Sequence, residues 1–411
     1  MSSKDSSSAL EEGALSNRSQ HQNGHATQIP VEKLDHPEHL PFTQWLIEHM
    51  SWSWFTCPQS TGGIAVLLSE CPKQFHGLET IGKIIFIFNI VLYLTFTAFM
   101  ITRWVKDPRK IRECFTKAPE CYFFGSFWLT FATMIINTQR YGVPHTAPWL
   151  IVVVRIFFWF YVANSFLTTN LHIVWIARAT PFKASQFQPP MFILVLNAML
   201  TGTVAAAIAE TQPEHQRVAI MVAGVAYQGL GWIVCMIFLT LLMTNILENG
   251  WPASNLRPGL FIMSGTSGFT ITALIGIARA APQNYGYFAT HPSAAEVLRI
   301  VATWVGVFMW VFTFWVFGLA FWINVAELFV KKEGRWRVNV TFTNVAWAMI
   351  FPNVGWVLST IFLGQELESE GIIWVSVAMV ILLVAFWLLD LVLMAKTFCL
   401  SFFKDSRIKM G

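Results

Sequence analysis

The chain has 411 residues, of which 55% are hydrophobic and only 12% are charged. Its mean hydropathy is +0.53. Soluble globular proteins carry about 25% charged residues, so we expect lipid rather than water around most of this chain. The formal net charge of +4 is too small to indicate a nucleic-acid partner. The six cysteines form neither a CxxC pair nor a cysteine–histidine spacing, so we expect no zinc site, no disulfide framework and no cofactor.

The N-terminal segment is rich in Ser, Gln, Glu and His and has no apolar run typical of a signal peptide. It has too little apolar surface to bury, so we expect residues 1–44 to form a solvated cytoplasmic tail. Residues 45–400 are expected to form a ten-helix membrane domain, and residues 401–411 a short cytoplasmic tail.

Ten apolar segments are long enough to cross a bilayer, which needs about 20 residues per helix. They lie at 48–69, 81–104, 119–139, 147–177, 188–209, 218–247, 256–278, 297–329, 338–364 and 371–398. The sequence therefore predicts an all-α polytopic membrane protein.

Lysine and arginine are concentrated on one side of these spans. The loops after the even spans and the C-terminal tail hold Arg103, Lys106, Arg109, Lys110, Arg112, Lys117, Arg178, Lys183, Arg257, Lys331, Lys332, Arg335, Arg337, Lys404, Arg407 and Lys409. The opposite loops hold only Lys73, Arg140, Arg217 and Arg279. Because cytoplasmic loops carry the excess of Lys and Arg, we expect both termini in the cytoplasm. The sequons at Asn17 and Asn339 then stay unmodified.

The odd-numbered spans carry the helix-weakening residues. These are Pro58, Gly62, Gly63, Pro119, Gly125, Pro189, Pro190, Gly202, Pro258, Gly259, Gly265, Gly268, Pro352 and Gly355. Freed backbone groups at membrane depth are tolerated only against protein or water. The pattern therefore predicts five helical hairpins, with the odd helices in an inner ring around a central path and the even helices outside.

No enzyme motif is present, and we expect no catalytic residues. The ionisable residues at membrane depth are Lys83, Arg155, His172, Glu327 and Asp390. Such residues usually face protein or water. The positive balance, the hydroxyl groups and the broken-helix ends of the inner spans favour a small anion as the solute, because helix N-termini attract negative charge.

Motifs spread over about 45–365 make the chain similar to a known family. They are WSWF (52–55), STGGIAVLL (60–68), HGLETIGKI (76–84), VVRIFFWFYVANSF (153–166), TQPEHQ (211–216), YQGLGW (227–232), RPGLFI (257–262), IARAA (277–281) and IFPNVGW (350–356). The chain resembles the malic acid permease branch of the tellurite-resistance/dicarboxylate transporter family, whose distant relatives include plant slow anion channels. The resemblance implies a ten-helix pore fold, transport of C4-dicarboxylates such as malate, succinate and fumarate, and a trimeric homo-oligomer.

Two arginines are candidates for binding a substrate carboxylate, which a guanidinium holds with two parallel hydrogen bonds. Arg279 ends the seventh span near the outer mouth, and Arg155 lies within the fourth span. The alternatives are an interfacial anchor for Arg279 and a helix clamp for Arg155.

Small polar residues on the inner spans are the candidates for shorter-range donors to the substrate. They are Gln59, Ser60, Thr61, Ser264, Thr266, Ser267 and Asn353, with Gln228 on the sixth span reaching inward. The alternative is that they satisfy loosened backbone groups and let helices pack closely.

A phenylalanine is the candidate gate, because hydrophobic constrictions close pores. Phe351 lies on the helix that carries the gating Phe in the anion-channel relatives, so the resemblance favours it, and Phe269 is the rival. Protons are a candidate co-substrate, with His172, Glu327 and Asp390 as alternative carriers.

The sequence therefore predicts a plasma-membrane C4-dicarboxylate transporter. Two alternatives on the same fold stay open, a sulfite efflux pump and a passive anion channel.

Overall fold

The structure is a computed structural model that describes residues 42–407, apart from residues 180, 182, 327–328, 333–334 and 339–341. Its side chains are described within 42–400, outside residues 180, 182 and 327–341. Most of the predicted N-terminal tail, the two sequons and the side chain of Glu327 therefore lie outside the described residues.

The described chain consists of α-helices joined by short 3-10 turns, with one small β-hairpin. The elements in chain order are α1 (Phe42–His49), α2 (Thr56–Ser69), α3 (Leu78–Lys106), α4 (Arg109–Thr116), α5 (Phe124–Asn137), α6 (Trp149–Ala179), α7 (Ile193–Ile208), α8 (Glu214–Asn249), α9 (Ile262–Arg279), α10 (Tyr287–Thr290), α11 (Ala294–Ala326), β1 (Phe329–Lys332), β2 (Arg335–Val338), α12 (Phe351–Glu366) and α13 (Glu370–Arg407).

Within the described residues, eight helical segments are long and apolar enough to cross a bilayer. They contain α3, α6, α7, α8, α9, α11, α12 and α13. The other two predicted spans correspond to α2 and α5, which are α-helical over only 14 residues each. The structure thus supports a multi-pass helical membrane protein, and the count of ten spans stays a prediction.

The helices divide sharply by burial. In the most apolar stretch of the segments containing α7, α9 and α12, 89%, 94% and 89% of the residues are buried. In the five even spans, only 17–33% of the corresponding residues are buried. In α2, every residue from Thr56 to Leu68 is buried. The proline- and glycine-rich helices therefore lie inside, and the bulky helices expose their apolar side chains at the surface.

The five hairpins repeat one local structure at the start of their inner helix. A 3-10 turn leads into each buried helix, at Trp52–Phe55, Glu120–Phe123, Pro189–Phe192, Arg257–Phe261 and Asn344–Met349. The first four turns end on Phe55, Phe123, Phe192 and Phe261, and α12 itself begins with Phe351. Proline is favoured here because the first turn of a helix does not use its own N–H groups.

The buried helices contact one another in chain order. Helix α2 packs on α5, α5 on α7, α7 on α9 and α9 on α12, and α12 also packs on α2. The outer helices lie against this group, as α3 does on α2, α8 on α7, α11 on α9 and α13 on α12. Every buried helix therefore has two buried neighbours and at least one outer partner.

Glycines bring α9 and α12 into backbone contact. A Cβ added at Gly265 would lie 2.8 Å from Pro352 Cα, and one at Gly268 would lie 2.5 Å from Trp356 N. Larger residues would force the two backbones apart. The glycines in RPGLFIMSGTSGFT therefore allow close helix packing of the kind common in membranes.

The hairpin β1–β2 was not expected from the sequence. Its strands pair antiparallel, with Phe329 opposite Val338 and Lys332 opposite Arg335. The predicted eighth and ninth spans, 297–329 and 338–364, were placed too close together, since α11 ends at Ala326 and the next helical turn begins at Asn344. The basic residues here had been interpreted only as a charged loop.

Candidate functional site

A cavity lies at the N-terminal ends of the buried helices. It holds about 540 Å³ of empty space, part of it open to solvent. Its lining residues come from all five helices or the turns that precede them, among them Gln59, Phe123, Leu196, Phe269 and Phe351. Because the N-terminal segments of all five helices meet here, the positive ends of their dipoles point towards this cavity.

The polar groups of this first cavity come mainly from α2. Thr56 Oγ1 donates to Ser53 O at 2.6 Å, and Ser60 Oγ donates to Trp347 O at 3.1 Å. Gln59 differs, because its Oε1 is buried without a hydrogen-bond partner among the described residues. An unpaired buried amide oxygen costs about 1–3 kcal/mol, so Gln59 is held in the cavity at a cost to stability.

A second, smaller cavity lies towards the C-terminal ends of the same helices and has about 280 Å³ of empty space, part of it open to solvent. Every buried helix or its C-terminal extension contributes to it. The lining residues are Val66, Glu70, Ile136, Arg140, Thr203, Ala206, Ala207, Thr272, Leu358 and Phe362. The five helices therefore run parallel, with one cavity at each end.

One to two helical turns separate the two cavities, with the wider gap on α2, α5 and α12 and the narrower one on α7 and α9. On α7 the lining passes from Leu200 to Thr203, and on α9 from Phe269 to Thr272. Three residues of α-helix correspond to about 4.5 Å. The two cavities are therefore about 5–10 Å apart along the helices.

Phe269 and Phe351 lie at this level. A Cβ at Gly63 would be 3.0 Å from the Phe351 ring, and a Cβ at Gly355 would be 2.7 Å from the Phe269 ring. Gly63 and Gly355 each lie between the residues of their helices that line the first and second cavities. The two predicted gate residues thus contact each other between the cavities, with ring centroids 5.0 Å apart.

Arg279 lies at the C-terminal end of α9, beside the second cavity. Its Nε donates to Glu366 Oε1 at 2.6 Å, and its Nη1 donates to Gln365 Oε1 at 2.9 Å. Its guanidinium lies 4.6 Å over the ring of Phe362, which lines that cavity. Arg279 is therefore near the second cavity but is held by an internal carboxylate.

Arg155 lies outside both cavities. Its Nη1 donates to Gln212 Oε1 at 3.4 Å, and Gln212 Nε2 donates to Ile151 O. The contact joins α6 to the loop that follows α7. The structure therefore gives Arg155 a contact between helices and does not bring it to the other candidates.

The predicted polar set is only partly brought together. Gln59 and Ser60 line the first cavity. The other six candidates form hydrogen bonds within or between helices. Ser264 donates to Asn353 Oδ1, which pairs two of the candidates, and Thr266 donates to Met263 O on its own helix. Thr61 accepts from Trp387 Nε1, Ser267 accepts from Thr313 Oγ1, and Gln228 donates to Thr270 Oγ1.

Three ionisable residues considered as proton carriers or membrane-depth charges also have defined places. His172 Nε2 contacts Phe115 O at 2.9 Å. Asp390 is 2% exposed, and its Oδ2 has no hydrogen-bond partner in the described chain. Lys83 pairs with Glu79 at 2.8 Å near the start of α3. None of these side chains lines either cavity.

Arg140, Glu70 and Thr203 line the second cavity, although no sequence pattern predicted them there. Arg140 was counted as a loop residue because the third apolar run ends at residue 139. The helix continues past α5 as a π-helical turn, Thr138–Gly142, which includes Arg140. The available signal was an arginine one residue beyond the end of an inner apolar span, since ionisable residues at membrane depth are usually functional.

Known proteins of two transport classes are similar to this chain. A malic acid transport protein of Schizosaccharomyces pombe is 31% identical over 363 residues, which is 88% of this chain and 81% of the relative. A second protein of that yeast named for malic acid transport is 31% identical over 327 residues, or 79% of this chain and 74% of the relative. The sulfite efflux pump SSU1 of Arthroderma otae is 23% identical over 337 residues, or 79% and 84%.

The family match covers most of the chain. Residues 49–395 match the family described as Voltage-dependent anion channel, SLAC1. This range contains α2 to α12 and most of α13, including every residue that lines the two cavities. The relationship inferred from the sequence motifs is confirmed, and the chain belongs to the voltage-dependent anion channel (SLAC1) family.

Proposed function

We propose that the protein carries C4-dicarboxylates, with malate as the reference substrate, along a path through both cavities. The observation that carries the proposal is the arrangement of the cavities. The same five buried helices line both, and one to two helical turns separate them. In this proposal the five helices form the pore-lining ring of a ten-span protein.

The electrostatics of the first cavity support an anionic substrate. The N-terminal segments of five helices meet there, and each N-terminus acts as roughly half a positive charge. No Asp or Glu is among the residues that line this cavity in the described chain. The relatives named for malic acid transport support a dicarboxylate as the anion.

The proposal assigns separate functions to the candidate residues. Gln59 and Ser60 contact the substrate in the first cavity, and Phe269 and Phe351 close the path above it. Arg279 attracts anions at the mouth of the second cavity. The hydroxyl and amide groups of α9 and its partners, together with Arg155, hold the ring in shape.

We further propose that the first cavity opens to the cytoplasm and the second to the outside of the plasma membrane. Helix α4 supports this orientation, because it carries Arg109, Lys110 and Arg112 in the loop after α3. Cytoplasmic loops carry the excess of such residues. Both termini are then cytoplasmic, and the trimeric assembly implied by the family resemblance is part of the same proposal.

A passive anion channel is the second candidate function. The phenylalanine contact favours it, since a dry aromatic constriction is a gating device of channels. Such a channel would carry currents that follow voltage and do not saturate with malate. Sulfite efflux, the activity named for the more distant relatives, would use a smaller anion on the same path.

Uptake into proteoliposomes tests the proposal. Purified protein is reconstituted, and uptake of labelled malate is measured against succinate, fumarate, sulfite and nitrate, with and without a pH gradient. We expect saturable malate uptake that succinate and fumarate inhibit and nitrate does not. Protein-free liposomes are the control. Transport of sulfite that malate does not inhibit would contradict the proposal, and unsaturable, voltage-driven flux would favour the channel.

A further inference from the structure

The second cavity contains one cationic side chain, Arg140, in the part of the chain that the structure describes. Its Nη2 forms an ion pair with Glu70 Oε1. Its Nε is buried and has no hydrogen-bond partner among the described residues. The guanidinium therefore binds one carboxylate and still has one N–H group, at Nε, without an acceptor among the described residues.

Thr203 supplies a second unmatched donor in the same cavity. The residue is 4% exposed, and its Oγ1 has no hydrogen-bond partner in the described structure. Other threonines of the ring bind their own helix, as Thr270 does to Thr266 O at 2.6 Å and Thr272 to Gly268 O at 3.0 Å. Thr203 departs from this pattern, so its hydroxyl is available to a ligand in the cavity.

An anion in the second cavity needs such groups. The C-terminal ends of the five buried helices meet there, and each carries roughly half a negative charge. A carboxylate passing this end is repelled unless a cation offsets the carbonyl groups. Arg140 supplies that charge, and its planar guanidinium matches the geometry of a carboxylate.

We propose that Arg140 and Thr203 form a carboxylate-binding subsite in the second cavity, with Glu70 as an internal carboxylate that the ligand displaces. The subsite takes one carboxylate group of a small organic anion. It rests on the proposed function, for which it names the residues that receive the substrate at the end of the path opposite Gln59.

Glu70 has a defined part in this exchange. It holds the guanidinium in the cavity while no anion is bound, and its side chain is 16% exposed. When a substrate carboxylate accepts hydrogen bonds from Arg140 and Thr203, Glu70 loses its partner. Removing the charge of Glu70 should therefore strengthen anion binding, whereas removing either donor should weaken it.

Isothermal titration calorimetry of malate binding to the purified full-length protein tests the subsite. Hydrogen bonds to charged groups correspond to about tenfold or more in affinity. We expect Arg140→Gln and Thr203→Val each to raise the Kd for malate about tenfold. Glu70→Gln is expected to lower the Kd severalfold.

Two control variants match these changes. Thr201→Val alters a buried threonine on the same helix whose hydroxyl lies 3.5 Å from Ser165 Oγ and which lines neither cavity. Arg217→Gln removes an arginine that donates to the backbone carbonyls of Glu210 and Gln212. Both should keep the wild-type Kd. If Arg140→Gln does not fold, the neutral pair Glu70→Gln/Arg140→Gln replaces it.

Wild-type Kd values for both Arg140→Gln and Thr203→Val would overturn the subsite. Failure of the proposed substrate gives a different result. A wild-type protein that binds and carries sulfite but not malate would contradict dicarboxylate transport. The same variants titrated with sulfite would then still decide whether Arg140 and Thr203 bind the anion.

Discussion

The ring of Phe269 lies against the ring of Phe351, with centroids 5.0 Å apart and planes inclined by 34°. Each ring also fits against a glycine of another buried helix, Gly355 for Phe269 and Gly63 for Phe351. Aromatic pairs of this kind contribute only about 0.5–1.5 kcal/mol beyond their buried area. The direct aromatic contact thus adds little to the cost of moving either ring, as the proposed gate between the two cavities requires.

Replacement of Phe351 by alanine should open the path. The variant Phe351→Ala removes one half of the aromatic contact and is expected to raise anion leak through proteoliposomes, measured as conductance in malate solution. Phe308→Ala is the control, because Phe308 is 82% exposed on the outer surface of α11. Unchanged conductance in a folded Phe351→Ala protein would argue against the gate.

Replacement of Gly355 by alanine should reduce malate uptake, in contrast to the increased anion leak expected for Phe351→Ala. The new Cβ would lie 2.7 Å from the Phe269 ring, so the ring must move away from α12. We expect reduced malate uptake for Gly355→Ala and recovery in Gly355→Ala/Phe269→Ala, where the clash is absent. Gly229→Ala is the control, since no heavy atom lies within 4 Å of a Cβ there. If the double variant recovers nothing, the loss comes from helix packing and not from the ring.

The layering of the fold could be predicted from the sequence because proline and glycine are unequally distributed. Pro58, Pro189, Pro258 and Pro352 mark four of the helices that the structure buries. The physical reason is that weakened helices need protein around them at membrane depth. The hairpin β1–β2 could not be predicted this way, because it lies in the basic loop between two apolar spans, where proline and glycine carry no such signal.

The orientation of individual side chains could not be predicted. Helix α9 is buried on every side from Ile262 to Ala273, so its sequence has no polar face that would mark the cavity. Ser264 and Ser267 face partners on α12 and α11, respectively, whereas Phe269 faces the cavity. Arg140 was missed for the related reason that a π-helical turn extends the helix beyond its apolar run.

Gln59 is expected to lower the stability of the protein while it supports malate transport. Its buried Oε1 has no partner, so Gln59→Leu removes a polar group that costs about 1–3 kcal/mol to bury. We expect an unchanged or raised melting temperature together with malate uptake reduced about tenfold, the effect of one hydrogen bond to a charged ligand. Full uptake would show that the substrate does not use this amide, and a lower melting temperature would contradict the proposed cost of burial.

Arg279 either binds the substrate or only holds two helices together, and a pair of variants distinguishes these two roles. Glu366 Oε1 accepts from Arg279 Nε at 2.6 Å, and Glu366 Oε2 accepts from Arg299 Nε at 2.7 Å. We expect Arg279→Ala to abolish malate uptake while the protein still reaches the membrane, because the mouth of the second cavity loses a cation beside Phe362.

Glu366→Gln is the matched variant for that measurement. If Arg279 attracts the substrate, removing the competing carboxylate leaves its guanidinium free for anions, and uptake should stay at or above the wild-type rate. If the ion pair only holds α9 to α12, both variants lose the same contact, and uptake and membrane abundance should fall together. Wild-type uptake by Arg279→Ala would exclude the residue from the proposed path, and Arg140 would then be the cation proposed to bind substrate at the second cavity.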